Sequence, residues 1–147
     1  YTGYATLCMA EALDEGAEIH TLEINDEMED FIMKYISQSP VKDKIKLYFG
    51  DAMEIIPTMN ETFDLVFIDA DKRLYTEYYN LIFDKLPSGA LILADNTLWD
   101  GKVLEAPHSG DKQTAGILAF NDMIKSDSRV EKVILPLRDG LTMIWKK

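Results

Sequence analysis

Phe63 to Lys72 reads FDLVFIDADK, and a second segment, Leu91 to Asn96, reads LILADN. Each is an apolar run that stops abruptly at polar side chains, Asp69 and Asp71 in the first and Asp95 and Asn96 in the second. Short apolar runs of this kind are the pattern of strands buried on both faces of a parallel sheet, so Phe63–Ala70 and Ala90–Ala94 are expected to be such strands. Open α/β sheets bind ligands in the crevice beyond the carboxyl ends of their strands. Acids delivered there are the first candidates for a site.

The flanking chain alternates helix and strand. After Asp71, Tyr75, Tyr78, Tyr79, Ile82 and Leu86 share one helical face, and Pro87-Ser88-Gly89 breaks it. Beyond Asn96 lies a long polar loop to Lys112 that contains Trp99, and loops of that length in a compact domain are usually functional or disordered. Gln113–Lys125 reads as a helix with Ile117, Phe120 and Ile124 inward. Val130–Leu135 and Leu141–Trp145 read as strands joined by a turn at Asp139-Gly140.

Upstream, Gly3 opens a helix that carries Thr6, Leu7, Ala10 and Leu13 at helical spacing and stops at Gly16; Cys8 is expected to be a small apolar filler in it. Glu18–Ile24 is a strand with Glu23 near its carboxyl end and His20 as a structural residue within it. Asp26–Ser39 is an amphipathic helix with Asp26 as its cap, Met28, Phe31, Ile32, Tyr35 and Ile36 inward, and Pro40 as its stop. Ile45–Phe49 is a strand that ends at Gly50-Asp51-Ala52, followed by a brief helix to Met59.

Composition limits the function classes. The chain has 147 residues, 47% of them apolar, which suits one domain with its own core. No apolar run is long enough to span a membrane. A net charge of −11 argues against a nucleic-acid groove as the main feature. A lone cysteine cannot form an internal disulfide, which favours a reducing, cytoplasmic setting.

Asp69, Asp95 and Asn96 offer only oxygen donors, which suit Mg²⁺, Mn²⁺ or Ca²⁺ and not Zn²⁺. Adjacent strand ends lie about 5 Å apart and can share one small cation. The alternative is that these residues cap the helices that follow. Lys72 stands three residues beyond Asp69, where an amine beside a bound metal could accept or relay a proton. Glu23 follows Gly3 by 20 residues, the spacing at which a strand-end acid meets ribose hydroxyls in nucleotide-binding folds.

Taken together, FIDADK at Phe67–Lys72 and DNTLW at Asp95–Trp99 resemble the signature of the cation-dependent, S-adenosylmethionine-using O-methyltransferases, the group that includes caffeoyl-CoA and catechol O-methyltransferases and bacterial relatives. The likeness also covers TGYA, LEIN, GDAMEIIP and the closing RDGLTMI. The resemblance implies an α/β fold, a Rossmann-like class I methyltransferase sheet with a C-terminal antiparallel hairpin, residues 1–147 forming a single methyltransferase domain. The family's strand order is 3-2-1-4-5-7-6, and its first strand is missing here, so the chain reads as N-terminally truncated and is expected to be destabilised or to bind the donor poorly on its own.

By position, the resemblance implies that Asp69, Asp95 and Asn96 hold the cation, Mg²⁺ first among the candidates, and that Lys72 is the catalytic base. Gly3, Ala5, Glu23, Asp51, Ala52 and Asp69 would border S-adenosylmethionine, and Trp99 would line the pocket of a catechol-like or phenolic acyl-CoA acceptor. Asp71 is expected to be a helix cap or a group that supports the ligating acid. Relatives commonly have Ser where this chain has Ala5, which removes a hydroxyl from the donor's carboxylate. A homodimer is also implied. Three other functions stay open: methylation of a hydroxylated tRNA uridine, a nicotinamide-dependent dehydrogenase, and a non-catalytic metal- or nucleotide-binding domain.

Overall fold

A computed structural model describes residues 1–147, which form two compact units, Tyr1–Met59 and Asn60–Lys147. In the first, α1 (Tyr4–Glu11) precedes β1 (Ile19–Glu23), α2 (Glu29–Gln38), β2 (Ile45–Phe49) and the single turn α3 (Ala52–Ile55). β1 and β2 pair in parallel, Ile19 opposite Ile45 and Glu23 opposite Phe49, so both strands end together.

Helix α1 ends at Glu11 and does not reach Gly16, which instead turns the chain with φ 82° before β1. Its buried side chains are Thr6 and Ala10, four apart on one face. Cys8 lies off that stripe and is exposed, so it is not a core filler. The Thr6 and Thr21 hydroxyls, 3.1 Å apart, join α1 to β1. His20 has the expected structural role, its Nδ1 3.1 Å from the Tyr48 hydroxyl and the two rings stacked.

The second helix is capped differently from expectation. Asn25, not Asp26, accepts from the Glu27 N–H, and Asp26–Met28 is a 3₁₀ turn ahead of α2. Asparagine is among the strongest N-cap residues, so the start moves back by one residue. Of the apolar stripe on α2, Ile32 and Ile36 are buried whereas Phe31 and Tyr35 are exposed and tilted against each other.

The second unit holds β3 (Leu65–Ile68), α4 (Tyr75–Phe83), β4 (Leu91–Asp95), α5 (Lys112–Ser126), β5 (Val130–Leu135) and β6 (Leu141–Lys146). Its sheet runs β3-β4-β6-β5, with β3 and β4 parallel and both pairings of β6 antiparallel. This is the mixed α/β sheet with a closing hairpin that the sequence implied.

One face of the four-stranded sheet is closed. Ile68, Ile92, Ala94, Thr142 and Ile144 are buried on it. So are the inward faces of α4 (Tyr75, Tyr78, Tyr79, Ile82) and α5 (Ile117, Phe120, Ile124). The other face is open. Leu65 is 51% and Phe67 39% exposed. The expectation that β3 is buried on both faces therefore fails: β3 is an edge strand paired only with β4, and its alternate side chains fall on the uncovered face. No helix is long and apolar enough to cross a membrane.

Candidate active site

The parallel register that sets Ile68 beside Ala94 brings Asp69 and Asp95 to neighbouring strand ends. The chain then turns over Asp71, whose carboxylate accepts from the Arg73 N–H at 3.0 Å and caps the 3₁₀ turn Lys72–Leu74. The Arg73 guanidinium holds the Asp71 carboxyl below the usual carboxylate range. That is the first of the two roles expected from the sequence, and it separates Asp71 from Asp69.

Lys72 is only 6% exposed, an unusual place for a lysine. It is paired on two sides: Nζ donates to Asp69 Oδ1 at 2.9 Å and to the Tyr75 hydroxyl at 2.6 Å. Asp69 itself is half-exposed, its side chain 52% accessible, so one end of the pair meets solvent. Tyr75 is fully buried, edge-on to Phe120, and its hydroxyl lies 3.0 Å from the carbonyl of Asp95 and 3.2 Å from that of Ile68. One phenol thus ties Lys72 to the ends of both β3 and β4. Burial, and next the charge of Asp69, push this phenol up, so it stays protonated.

The turn that carries Lys72 is seated on α5. A Cβ on Gly116 would lie 2.4 Å from the Lys72 carbonyl oxygen and 2.7 Å from the Arg73 Cα, so only glycine admits this approach.

On the β4 side, Asp95 Oδ1 accepts from the Asn96 N–H at 2.7 Å, and Asn96 is left-handed with φ 59°. Trp99 and Asp100 are left-handed as well, at 48° and 53°. Strained backbone of this kind clusters at functional sites. Trp99 faces Lys72, whose Nζ is 6.0 Å from its ring, and its indole N–H is buried without a partner. The loop is clamped to the β5–β6 turn: Thr97 N–H donates to the Gly140 carbonyl at 3.1 Å and Leu98 N–H to that of Asp139 at 2.9 Å.

A cavity of about 520 Å³ opens here, lined by Phe67, Asp95, Asn96, Leu137, Arg138, Asp139 and Leu141. It is open to solvent, and Asp69, Lys72 and Trp99 are not among the residues that line it. No three His, Cys, Asp or Glu side chains converge on a metal centre. An all-oxygen set of two carboxylates and an amide suits a hard divalent ion.

The other candidate residues belong to the first unit. Glu23 and Asp51 stand at the carboxyl ends of β1 and β2, joined by a bond from Gly50 N–H to the Glu23 carbonyl at 2.9 Å. Glu23 Oε1 accepts from the Asn25 N–H at 2.9 Å. Gly3 is the left-handed N-cap of α1 at φ 75°, and a Cβ there would press on Ile32 at 3.1 Å. No side chain caps that helix, and Ala5 is exposed in its first turn. Asp51 caps α3 through the Met53 N–H at 2.8 Å, with Ala52 the first residue of that helix.

The sequence did not single out the Tyr75 hydroxyl, Gly116 or Arg138. Tyr75 could have been flagged by standing three residues after Lys72, one turn along. The other two carry no local signal.

A family model described as O-methyltransferase matches residues 1–147. Caffeoyl-CoA O-methyltransferase 5 of Nicotiana tabacum is 32% identical over 154 aligned residues, covering 97% of this chain and 64% of its own. The chain thus spans just under two thirds of that relative. Among solved structures, an SAH-bound methyltransferase from Podospora anserina shares 31% identity at a TM-score of 0.89, covering 100% of this chain and 68% of its own. An O-methyltransferase from Bacillus cereus in complex with SAH shares 27% at 0.90, covering 99% and 70%. With the whole chain inside the family's pattern and its fold reproduced at these scores, the chain belongs to the O-methyltransferase family.

Proposed function

We propose that this chain carries the catalytic machinery of a divalent-cation-dependent O-methyltransferase that methylates a hydroxyl of a catechol-like or phenolic acyl-CoA acceptor. The observation that carries this is the buried Lys72, held between Asp69 and Tyr75 at the joined ends of β3 and β4. Lysines are almost never so buried without a purpose that repays desolvation.

Asp69, Asp95 and Asn96 would hold the cation; Gly3, Ala5, Glu23, Asp51 and Ala52 are assigned to S-adenosylmethionine. When bound, the donor supplies an electrophilic methyl group and the cation acidifies an acceptor hydroxyl. The chain's own residues do the rest. Lys72 Nζ takes or relays the hydroxyl proton, Asp69 and Tyr75 hold that nitrogen in place, and Trp99 walls the acceptor side. Positioning of the two reactants supplies much of the acceleration.

The test is transfer of labelled methyl from S-adenosylmethionine to catechol with added Mg²⁺. Lys72→Ala should lower turnover by about a hundredfold or more while donor binding persists, and a chelator should stop the wild-type reaction. Transfer that survives both changes would remove this assignment.

A further inference from the structure

The chain has three arginines, and two of them hold carboxylates of their own chain. Arg73 pairs with Asp71, and Arg129 pairs with Asp127. Arg138 has no ion pair and no side-chain hydrogen bond, and it lines the cavity that Asp95 and Asn96 also line. Its backbone is left-handed at φ 51°, which costs an arginine roughly 1 kcal/mol that glycine would not incur. The two residues that follow are fixed to the β4 loop by the bonds from Thr97 and Leu98. Arg138 is thus the one cation lining a cavity that also carries the carboxylates of Asp95 and Asp139, and its paired N–H donors are free to take a planar anion.

We infer that Arg138 selects acceptors bearing a carboxylate, and that its guanidinium holds that group in the cavity beside Asp95 and Asn96. It rests on the proposed methyl transfer beside a cation held by Asp69, Asp95 and Asn96, and it narrows the acceptor to a catechol-like acid, because the acyl group of an acyl-CoA thioester has no free carboxylate. Two parallel N–H donors match the two oxygens of a carboxylate, whereas a neutral amide presents one oxygen and no charge.

The experiment is equilibrium binding of protocatechuate, an ortho-diphenol with a ring carboxylate, and of its neutral amide, with Mg²⁺ present and no methyl donor. Wild type should bind the acid about ten- to a hundredfold more tightly than the amide. Arg138→Gln and Arg138→Gly should abolish that preference while leaving affinity for the amide unchanged, and Arg138→Lys should restore part of it. Glycine suits the left-handed position and keeps the turn. An equal preference in wild type and Arg138→Gln, or none in wild type, overturns the inference. A preference that depends on Arg138, in a protein that fails the labelled-methyl transfer to catechol described above, supports carboxylate binding at Arg138 and removes the methyl-transfer proposal.

Discussion

The Nζ of Lys72 and the hydroxyl of Tyr75 are 2.6 Å apart, and the same hydroxyl reaches the carbonyl of Asp95 at 3.0 Å. Two side chains on one turn of the chain therefore fix the end of β4, twenty residues further on. Tyr75→Phe keeps the ring against Phe120 and deletes only the oxygen. The expected cost is about 1–3 kcal/mol of unfolding free energy, because Lys72 loses a buried partner. Turnover should fall with little change in KM, as a positioning residue requires. Since burial keeps the phenol protonated, the ratio of wild-type to variant turnover should stay flat from about pH 6 to 9. Chemical denaturation and steady-state kinetics across that range check both.

Gly116→Ala should be destabilising in spite of alanine's advantage in a helix, which is about 1 kcal/mol. The new methyl would stand 2.4 Å from the Lys72 carbonyl, and overpacking of that kind costs about 1–3 kcal/mol. The turn bearing Lys72 must move, so methyl transfer should fall along with the midpoint of thermal unfolding. A stabilised variant with full activity would show that α5 and this turn have room to separate.

Gly140 and Gly89 make a controlled pair, with φ near 83° and 90°. A Cβ on Gly140 would meet Leu98 at 2.5 Å, whereas one on Gly89 would meet nothing within 4 Å. Gly89→Ala should cost only the left-handed strain, about 1 kcal/mol. Gly140→Ala should cost about 1–3 kcal/mol more and should free the turn that holds Arg138. Urea unfolding of the two variants side by side measures the difference.

Asp127 ends α5 and accepts from Arg129 and from the Tyr79 hydroxyl at 2.9 Å. Hydrogen bonds from Arg129 hold its carboxyl well below the usual range. A depressed folded-state value stabilises the fold above the unfolded value near pH 4, and that contribution is lost as pH falls further through the folded value. Asp127→Asn should therefore cost about 1–3 kcal/mol at pH 7. The gap to wild type should close as pH drops below about 4. Urea midpoints at pH 7 and pH 3 give the comparison.

The placement of the candidate residues at strand ends was legible because apolar strands stop abruptly at polar side chains. FDLVFIDADK and LILADN stop at their acids for a backbone reason, and the parallel register then places Asp69 and Asp95 on neighbouring strands. That Asp71 caps the turn through the Arg73 N–H was one of two roles open to it in the sequence, and the structure shows the bond. Errors came where an apolar residue was equated with a buried one. Leu65, Phe67, Phe31 and Tyr35 are apolar and exposed, and Cys8 sits off the buried stripe of its helix.

What the order of residues determined by itself was local: the alternation of helix and strand, the turns at glycine and proline, and which acids end which strands. These follow from backbone sterics and side-chain periodicity within a few residues. Only the tertiary structure decided that Lys72 is buried and twice paired, that Gly116 seats its turn, and that Arg138 alone among the arginines lacks a carboxylate. Each depends on residues dozens of positions apart meeting within a few ångströms, or failing to meet. Such encounters are set by how sheets and helices pack and leave no periodicity in the chain.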